Sequence, residues 1–204
     1  MKSDNFLVWD ADDFGCNRII SDVCQSHDCR DQLDKFHYAN PNFKATLFAI
    51  PAEMTPEIAK WCKSNSSWIE LAVHGIFHSS NYECEKMSYD EFDGFIKGLQ
   101  PMLDTYFVKG FKAPGWQISD DIYRWLVDNG WWIADQSYND PRRPDGLLAY
   151  VNNNNEFYAN SKKVDASHHH TWDCCGNGVY EQEEHILNMI KRYGEFKFIS
   201  EVLA

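Results

Sequence analysis

The sequence predicts an α/β chain whose seven to eight mostly parallel strands curl into a distorted (β/α) barrel, TIM-barrel-like in plan. Three observations lead there. Short apolar runs alternate with helical stretches along the chain, the order expected of βαβ units. Four short polar motifs rich in Asp, His or Lys each follow an apolar run, which places them at the carboxyl ends of barrel strands. After the first run stands Asp12-Asp13-Phe14-Gly15, which would push phosphate away where an open nucleotide-binding sheet carries its glycine fingerprint. With 204 residues, 44% hydrophobic and 15% aromatic, the chain can bury one good core, and residues 1–204 read as a single domain.

The elements follow in order. Strands are expected at Phe6–Ala11, Phe43–Ile50, Trp68–Val73, Val108–Lys112, Trp131–Ala134, Gly146–Val151, Val164–His168 and Phe196–Ile199, each a short apolar or β-branched run. Between them, Thr55-Pro56-Glu57 opens a helix, Ser88 with Glu91 forms a capping box for another, and Ser119 precedes the Ile122, Trp125, Leu126 stripe. Val179–Tyr193 reads as a further helix. Asn139 to Gly146 and Asn152 to Asn155 carry turn-forming residues and are expected on the surface.

Charge narrows the partners. A net charge of -12 opposes a nucleic-acid backbone or an anionic membrane surface, and a neutral substrate fits better. The polar Met-Lys-Ser-Asp start enters a strand directly, with no signal-peptide core and no membrane span downstream, so a cytoplasmic location is the expectation. Cys16, Cys24, Cys29, Cys62, Cys84, Cys174 and Cys175 are odd in number and contain no Cys-x-x-Cys pair, the pattern of reduced thiols rather than a disulfide frame.

The motifs carry the chemistry. Adjacent carboxylates at a strand end point in different directions, so one of Asp12 and Asp13 can ligate a metal while the other faces a reacting water as general base. Asp10 adds an inward charge, costly unless a cation or metal lies nearby. His74 and His78 have the spacing that brings two imidazoles to one ion if Gly75 to Phe77 form a helical turn. Gly75 stands where a zincin helix carries its glutamate, so the base must come from elsewhere, and Asp12 is the supplier. In the fourth motif His168 and His170 share one strand face while His169 points away, so either of the two can be a general acid. Trp116 and Trp172 each sit beside a motif and offer flat faces to a sugar ring.

In order and spacing, Asp12-Asp13-Phe14-Gly15, His74-x-x-x-His78 and Phe111-Lys112-Ala113-Pro114-Gly115 resemble the signature motifs of the polysaccharide deacetylase superfamily, which includes nodulation and chitin deacetylases. The likeness runs along nearly the whole chain. It implies a divalent metal, commonly zinc, on Asp13, His74 and His78, with Asp12 as base, a histidine of the fourth motif as acid, and a backbone amide near Gly115 or Trp116 sharing the charge of the tetrahedral intermediate. Lys112 departs from the pattern, because the family places an arginine there to orient the catalytic aspartate; the charge survives but the bidentate fork does not. Asp135 matches a family position that supports this arginine, so an Asp135–Lys112 pair is expected. The function implied is deacetylation of an N-acetylated sugar or polysaccharide. A catalytically weakened carbohydrate-binding protein and a ferrous-iron oxygenase using the 2-His-1-Asp set are the alternatives.

Overall fold

The computed structural model describes residues 6–15, 28–137, 139–172, 176 and 178–204, together with the backbone of the short segments 19–21 and 24–25. Cys16, Asp173, Cys174 and Cys175 lie outside the described residues. In chain order the elements are β1 (Phe6–Phe14), β2 (Ile19–Ser21), β3 (Cys24–Gln25), α1 (Arg30–Ala39), β4 (Ala45–Ala49), α2 (Pro56–Ser64), β5 (Ile69–His74), α3 (Tyr89–Tyr106), β6 (Gly110–Lys112), α4 (Asp120–Asp128), β7 (Trp132–Asp135), β8 (Ala149–Asn153), β9 (Glu156–Ala159), β10 (Lys162–Val164), β11 (Ala166–His170), α5 (Glu183–Ile190), β12 (Glu195–Lys197) and α6 (Ile199–Leu203).

Ten of these strands make one curled sheet in the order β10-β9-β8-β7-β6-β5-β4-β1-β11, with β12 also paired to β1, while β2 and β3 pair with each other. Every contact from β8 through β1 to β11 and β12 is parallel. These are the eight parallel strands expected of a distorted barrel. The sequence reading did not include β9 and β10, which add an antiparallel flap through two tight turns. Asn154-Asn155 and Asn160-Ser161 make those turns with positive φ of 51° and 64°, then 45° and 71°, the mirror-image turn conformation that asparagine tolerates. Val164 therefore ends β10, and the following strand begins at Ala166.

Three helices start where the sequence marks them. Thr55 Oγ accepts from Ile58 N, Ser119 Oγ accepts from Ile122 N, and Ser88 with Glu91 closes a full capping box. The helix expected over Val179–Tyr193 is confined to Glu183–Ile190, and α1 was not expected at all. It starts at Cys29 without a side-chain cap and is held instead by burial of Leu33 and Phe36, three residues apart on one face. Among the described residues, no helix is long and apolar enough to cross a membrane. Cys29, Cys62 and Cys84 are buried; burial pushes the Cys62 thiol up to about 12, as in a packing residue rather than a reactive one.

Strand alternation sorts side chains into an outer and an inner core. Leu7, Trp9 and Ala11 of β1 face outward with Leu47 and Leu71, under Phe36 of α1 and Ile186 and Ile190 of α5. Trp9 is wholly buried, edge-on to Phe36 and Phe43 and stacked on His169, and loss of such a side chain costs about 3–5 kcal/mol. Phe111 and Ile133 pack outward with Phe92 of α3 and Trp125 of α4. The inner core holds Val8, Phe48, Ala72, Trp132, Ala134 and Tyr150, with Ile199 and Leu203 of α6 among them. This leaves Asp10, Asp12, His74, Lys112, His168 and His170, in step with those inner residues along their strands, to face the interior.

The α6 helix is tied on by a buried polar knot. Thr46 Oγ accepts from Ile199 N at 3.0 Å and donates to Glu70 Oε1 at 2.9 Å, while the Ser200 hydroxyl donates to Glu70 Oε2. Burial pushes the Glu70 carboxyl above its ordinary 4.5, and these hydrogen bonds only partly offset it. A group whose pKa is raised by folding stabilises the fold below its unfolded value and loses that contribution as pH rises through the folded value. The stability of the native chain relative to Glu70→Gln should therefore fall as pH rises above about 4.5 and then level off. Urea unfolding of both proteins across that range measures it; a pH-independent difference would show that Glu70 is not protonated on folding.

Candidate metal centre

The last turn of β1 sets the site. Period 2 sends Asp10 and Asp12 inward, and the pairing with β4 slips between Ala11 and Phe14. In that slip Asp13 takes a φ of 66°, a left-handed backbone that Asp accepts more readily than most residues. Both carboxylates thereby enter one cavity. Thr171 holds the bulge from β11, its amide donating to Asp12 O at 3.0 Å and its hydroxyl to Asp13 O at 2.8 Å.

His74 ends β5, but the residues between it and His78 do not form the helical turn expected from the spacing. They form a loop with φ of 62° at Gly75 and 47° at His78. The cause is Glu83, which the sequence reading missed. Its carboxylate accepts from Ile76 N at 2.6 Å, Phe77 N at 3.2 Å and Ser79 N at 2.9 Å, a ring of amides around one anion that curls the loop. Gly75 is required beneath it, since a Cβ there would lie 2.7 Å from Pro114 Cγ and 2.9 Å from Glu83 Oε1.

The donor set fits a cation. His74 Nδ1 lies 3.1 Å from the Lys112 carbonyl, which can only accept, so Nδ1 carries the proton and Nε2 presents a bare lone pair. That lone pair is aimed at Asp13 Oδ1 at 3.3 Å, and His78 Nε2 stands 3.2 Å from the same oxygen. Oδ1 is buried with no hydrogen-bond partner among the described residues. Acceptor facing acceptor is repulsive unless a positive charge lies between them, and a tetrahedral zinc with bonds of about 2.0–2.1 Å separates its donors by about 3.3 Å. The three donors are also the residues that the motif resemblance assigns to the metal.

Asp12 is held differently. Lys112 Nζ lies 2.7 Å from its Oδ1, both groups buried, and its Oδ2 is 3.7 Å from His168 Nε2 and 4.0 Å from His74 Nε2. Burial alone would raise the Asp12 carboxyl; Lys112 and then the imidazoles outweigh it and hold it at about 2. Asp13 is likewise driven well below the carboxylate range, against its burial, by its hydrogen bond with His170. Asp10, the inward charge that needed a partner, has two: His168 Nδ1 at 2.6 Å and the Tyr150 hydroxyl at 3.2 Å. Burial and the Asp10 charge push that phenol well above its ordinary value, so it donates. His170 Nδ1 lies 3.1 Å from Asp13 Oδ2, and this bond raises the His170 imidazole despite burial. His169, pointing outward as expected, stacks on Trp9.

The Asp135–Lys112 pair is not formed. In the β6–β7 register Lys112 lies beside Ala134, so Asp135 falls on the opposite face, where it accepts from the Tyr123 hydroxyl at 2.7 Å and lies 3.6 Å from Arg143. Asp135 is not among the residues that line the cleft. A cavity of roughly 250 Å³ is lined by Asp12, Asp13, His74, His78, Lys112, His170, Gly115, Trp116 and Trp172, with Asn81 and Ala113. Gly115 and Trp116 share a tight turn with φ of 55° and 62°, and the Trp116 amide donates to Ala113 O at 3.1 Å. The Trp172 ring lies 5.5 Å from that of His78, and the Trp116 ring 6.2 Å from that of His168.

Among known proteins, no family profile matches the chain and no curated protein matches it. Solved structures do. A peptidoglycan N-acetylglucosamine deacetylase superposes with a TM-score of 0.60 at 18% identity, covering 97% of this chain and 87% of that one. A family 4 acetyl xylan esterase from Clostridium thermocellum, solved with a cobalt ion, gives 0.58 at 16% over 97% and 89%. A CE4 family pseudoenzyme from Bacillus anthracis gives 0.57 at 13% over 98% and 66%. At such identities the likeness establishes the fold: the chain is built on the distorted barrel seen in the CE4 carbohydrate esterases.

Because Glu83 shapes the loop that carries His78, Glu83→Ala should weaken the binding of a divalent ion by about 10- to 100-fold without unfolding the chain. Competition with a zinc chelator, alongside circular dichroism, reads both; an unchanged zinc affinity would remove Glu83 from the site.

Proposed function

We propose that the chain is a metal-dependent hydrolase that removes the acetyl group of an N-acetylated sugar or polysaccharide. The observation that carries this reading is the division of labour at the end of β1. Asp13 Oδ1 is aimed at two imidazole nitrogens as a ligand, while Asp12, ionised against Lys112, keeps Oδ2 toward the cleft as a base. A divalent ion, zinc by the preference of two imidazoles and one carboxylate, would when bound polarise the acyl carbonyl and acidify a water.

The rest is done by the chain's own side chains. Asp12 Oδ2 accepts the proton of the attacking water, and Lys112 fixes the carboxylate so that its free oxygen faces the reacting centre. His168 returns a proton to the leaving amine from Nε2, because its Nδ1 is fixed on Asp10 at 2.6 Å and that carboxylate stabilises the imidazolium. His170, bound to Asp13, stands beside it and orients the ligand. With the Trp116 amide turned to Ala113, the contact to the developing oxyanion is assigned to the Gly115 amide. Trp116 and Trp172 flank the cleft as faces for the sugar ring. A neutral glycan also suits a chain of net charge -12.

A glycan-binding role without turnover is the second reading, favoured by Lys112 in the place of the superfamily's arginine and by a pseudoenzyme with this fold. The 2.7 Å ion pair to Asp12 weighs against it, since it supplies the charge the base requires. The 2-His-1-carboxylate set would also suit ferrous iron, but an ionised base beside it favours hydrolysis over oxygenation.

Metal-stripped protein should release acetate from N-acetylated glucosamine oligomers only when zinc is restored. Asp12→Asn should lower that rate by about 10²- to 10⁴-fold while retaining one equivalent of zinc by dialysis. Loss of zinc from this variant would make Asp12 a ligand; zinc binding with no release from any acetylated sugar would transfer the reading to glycan binding.

A further inference from the structure

The site contains a second set of donors. Asp12, His168 and His170 offer one carboxylate oxygen and two imidazole nitrogens within 4.8 Å of one another, as Asp13, His74 and His78 do. The two sets are built alike: the rings of His168 and His170 are 5.0 Å apart and those of His74 and His78 are 5.1 Å apart. Each set also has an imidazole whose outer nitrogen is hydrogen-bonded, His74 to the Lys112 carbonyl and His168 to Asp10, the arrangement that fixes a metal-binding histidine with its other nitrogen forward. Asp12 Oδ2 and His168 Nε2 are 3.7 Å apart, too far for a hydrogen bond yet near enough to share an ion. Asp13 joins the two sets, with Oδ1 toward the first and Oδ2 on His170.

The geometry points to a second divalent-cation site on Asp12, His168 and His170, adjacent to the first and weaker than it. Charge fixes the order of filling. Among the described residues of the site, Asp10, Asp12 and Asp13 are three buried carboxylates against one buried ammonium, that of Lys112, which leaves two negative charges, and one divalent ion on the first set cancels them. The second ion therefore meets a neutral site, with Lys112 Nζ 2.7 Å from its carboxylate ligand, and binds about tenfold or more weakly. Filling it occupies Asp12 Oδ2 and His168 Nε2 together, so excess metal inhibits hydrolysis. That consequence rests on the assignment of these two residues as base and acid; the binding does not.

Equilibrium dialysis against rising Zn²⁺, with metal counted per chain, tests the site without reference to activity. The native chain should take up one tight equivalent and then a second about tenfold or more weaker, whereas His170→Ala and His168→Ala should stop at one. Retention of the tight equivalent reports that each variant is folded. For a variant that loses it, the native protein decides: with Zn²⁺ in the first site, added Co²⁺ should shift and broaden the ring-proton NMR signals of His168 and His170 and leave His185 unaffected. A native chain that saturates at one equivalent, variants that still bind two, or Co²⁺ that spares both imidazoles would each overturn the proposal. Absence of acetate release at one bound equivalent would instead defeat the deacetylase reading and leave the stoichiometry standing.

Discussion

The structure depends on the burial of three carboxylates at the end of a single strand. Asp10, Asp12 and Asp13 are each almost wholly buried, and an isolated buried carboxylate is too costly to persist without partners. The partners come from several strands. Lys112 of β6 answers Asp12, His168 of β11 and Tyr150 of β8 answer Asp10, and His170 of β11 answers Asp13, whose other oxygen faces His74 of β5 and the following His78. Only a sheet curled far enough to bring β5, β6, β8 and β11 around β1 can supply all of them. The barrel is thus the geometry that makes the motif affordable.

The same interior shows why the polar residues gather at one end. Behind the carboxylates, the inner core is filled by Phe48, Trp132 and Tyr150, and α6 adds Ile199 and Leu203. These side chains keep water from the rear of the site, which strengthens every charge contact in front of them. At α6 a second, smaller polar group, Thr46, Glu70 and Ser200, ties the helix to β4 and β5. Here the carboxyl has hydroxyl and amide partners but no cation, and burial raises it, whereas Lys112 and the imidazoles lower Asp12. One protein thus shows both outcomes of burying an acid, decided by what faces it.

Much of this was legible in the residues, and the failures have specific causes. Most of the eight parallel strands could be read because they are short apolar runs, and the cluster of Asp and His at one end because those residues end or follow the runs. The β9–β10 flap was not legible as strands because they mix polar and apolar residues, although the Asn152 to Asn155 turn before them was. Helix α1 has no side-chain cap to announce it. Glu83 was invisible because an acid that binds backbone amides leaves no pattern in sequence. Asp135 could have been placed correctly. Strand parity aligns Lys112 with Ala134, so the next residue must face the helix side, and the resemblance to a pattern of motifs outweighed the pleat.

Lys112 shows how the fold accommodates its departure from that pattern. An arginine would grip a carboxylate with two parallel N–H bonds and fix its plane; an ammonium is a point charge and cannot. The chain supplies the missing restraint from other directions. Lys112 Nζ lies 4.1 Å from the centre of the Trp116 ring and 4.8 Å from that of Phe48, so two aromatic faces and one carboxylate surround it. This confines the ammonium where a rigid fork would otherwise do so. It also assigns Trp116 a task besides any contact with sugar, and the turn presents the ring there through consecutive positive φ angles at Gly115 and Trp116. Gly115 cannot be replaced within that turn, because a Cβ would lie 2.7 Å from both Asn81 Cβ and Asn81 O. The Lys112 position, the Trp116 ring and the Gly115 turn therefore form one unit, and a change at any of them reaches Asp12 through the position of a single charge.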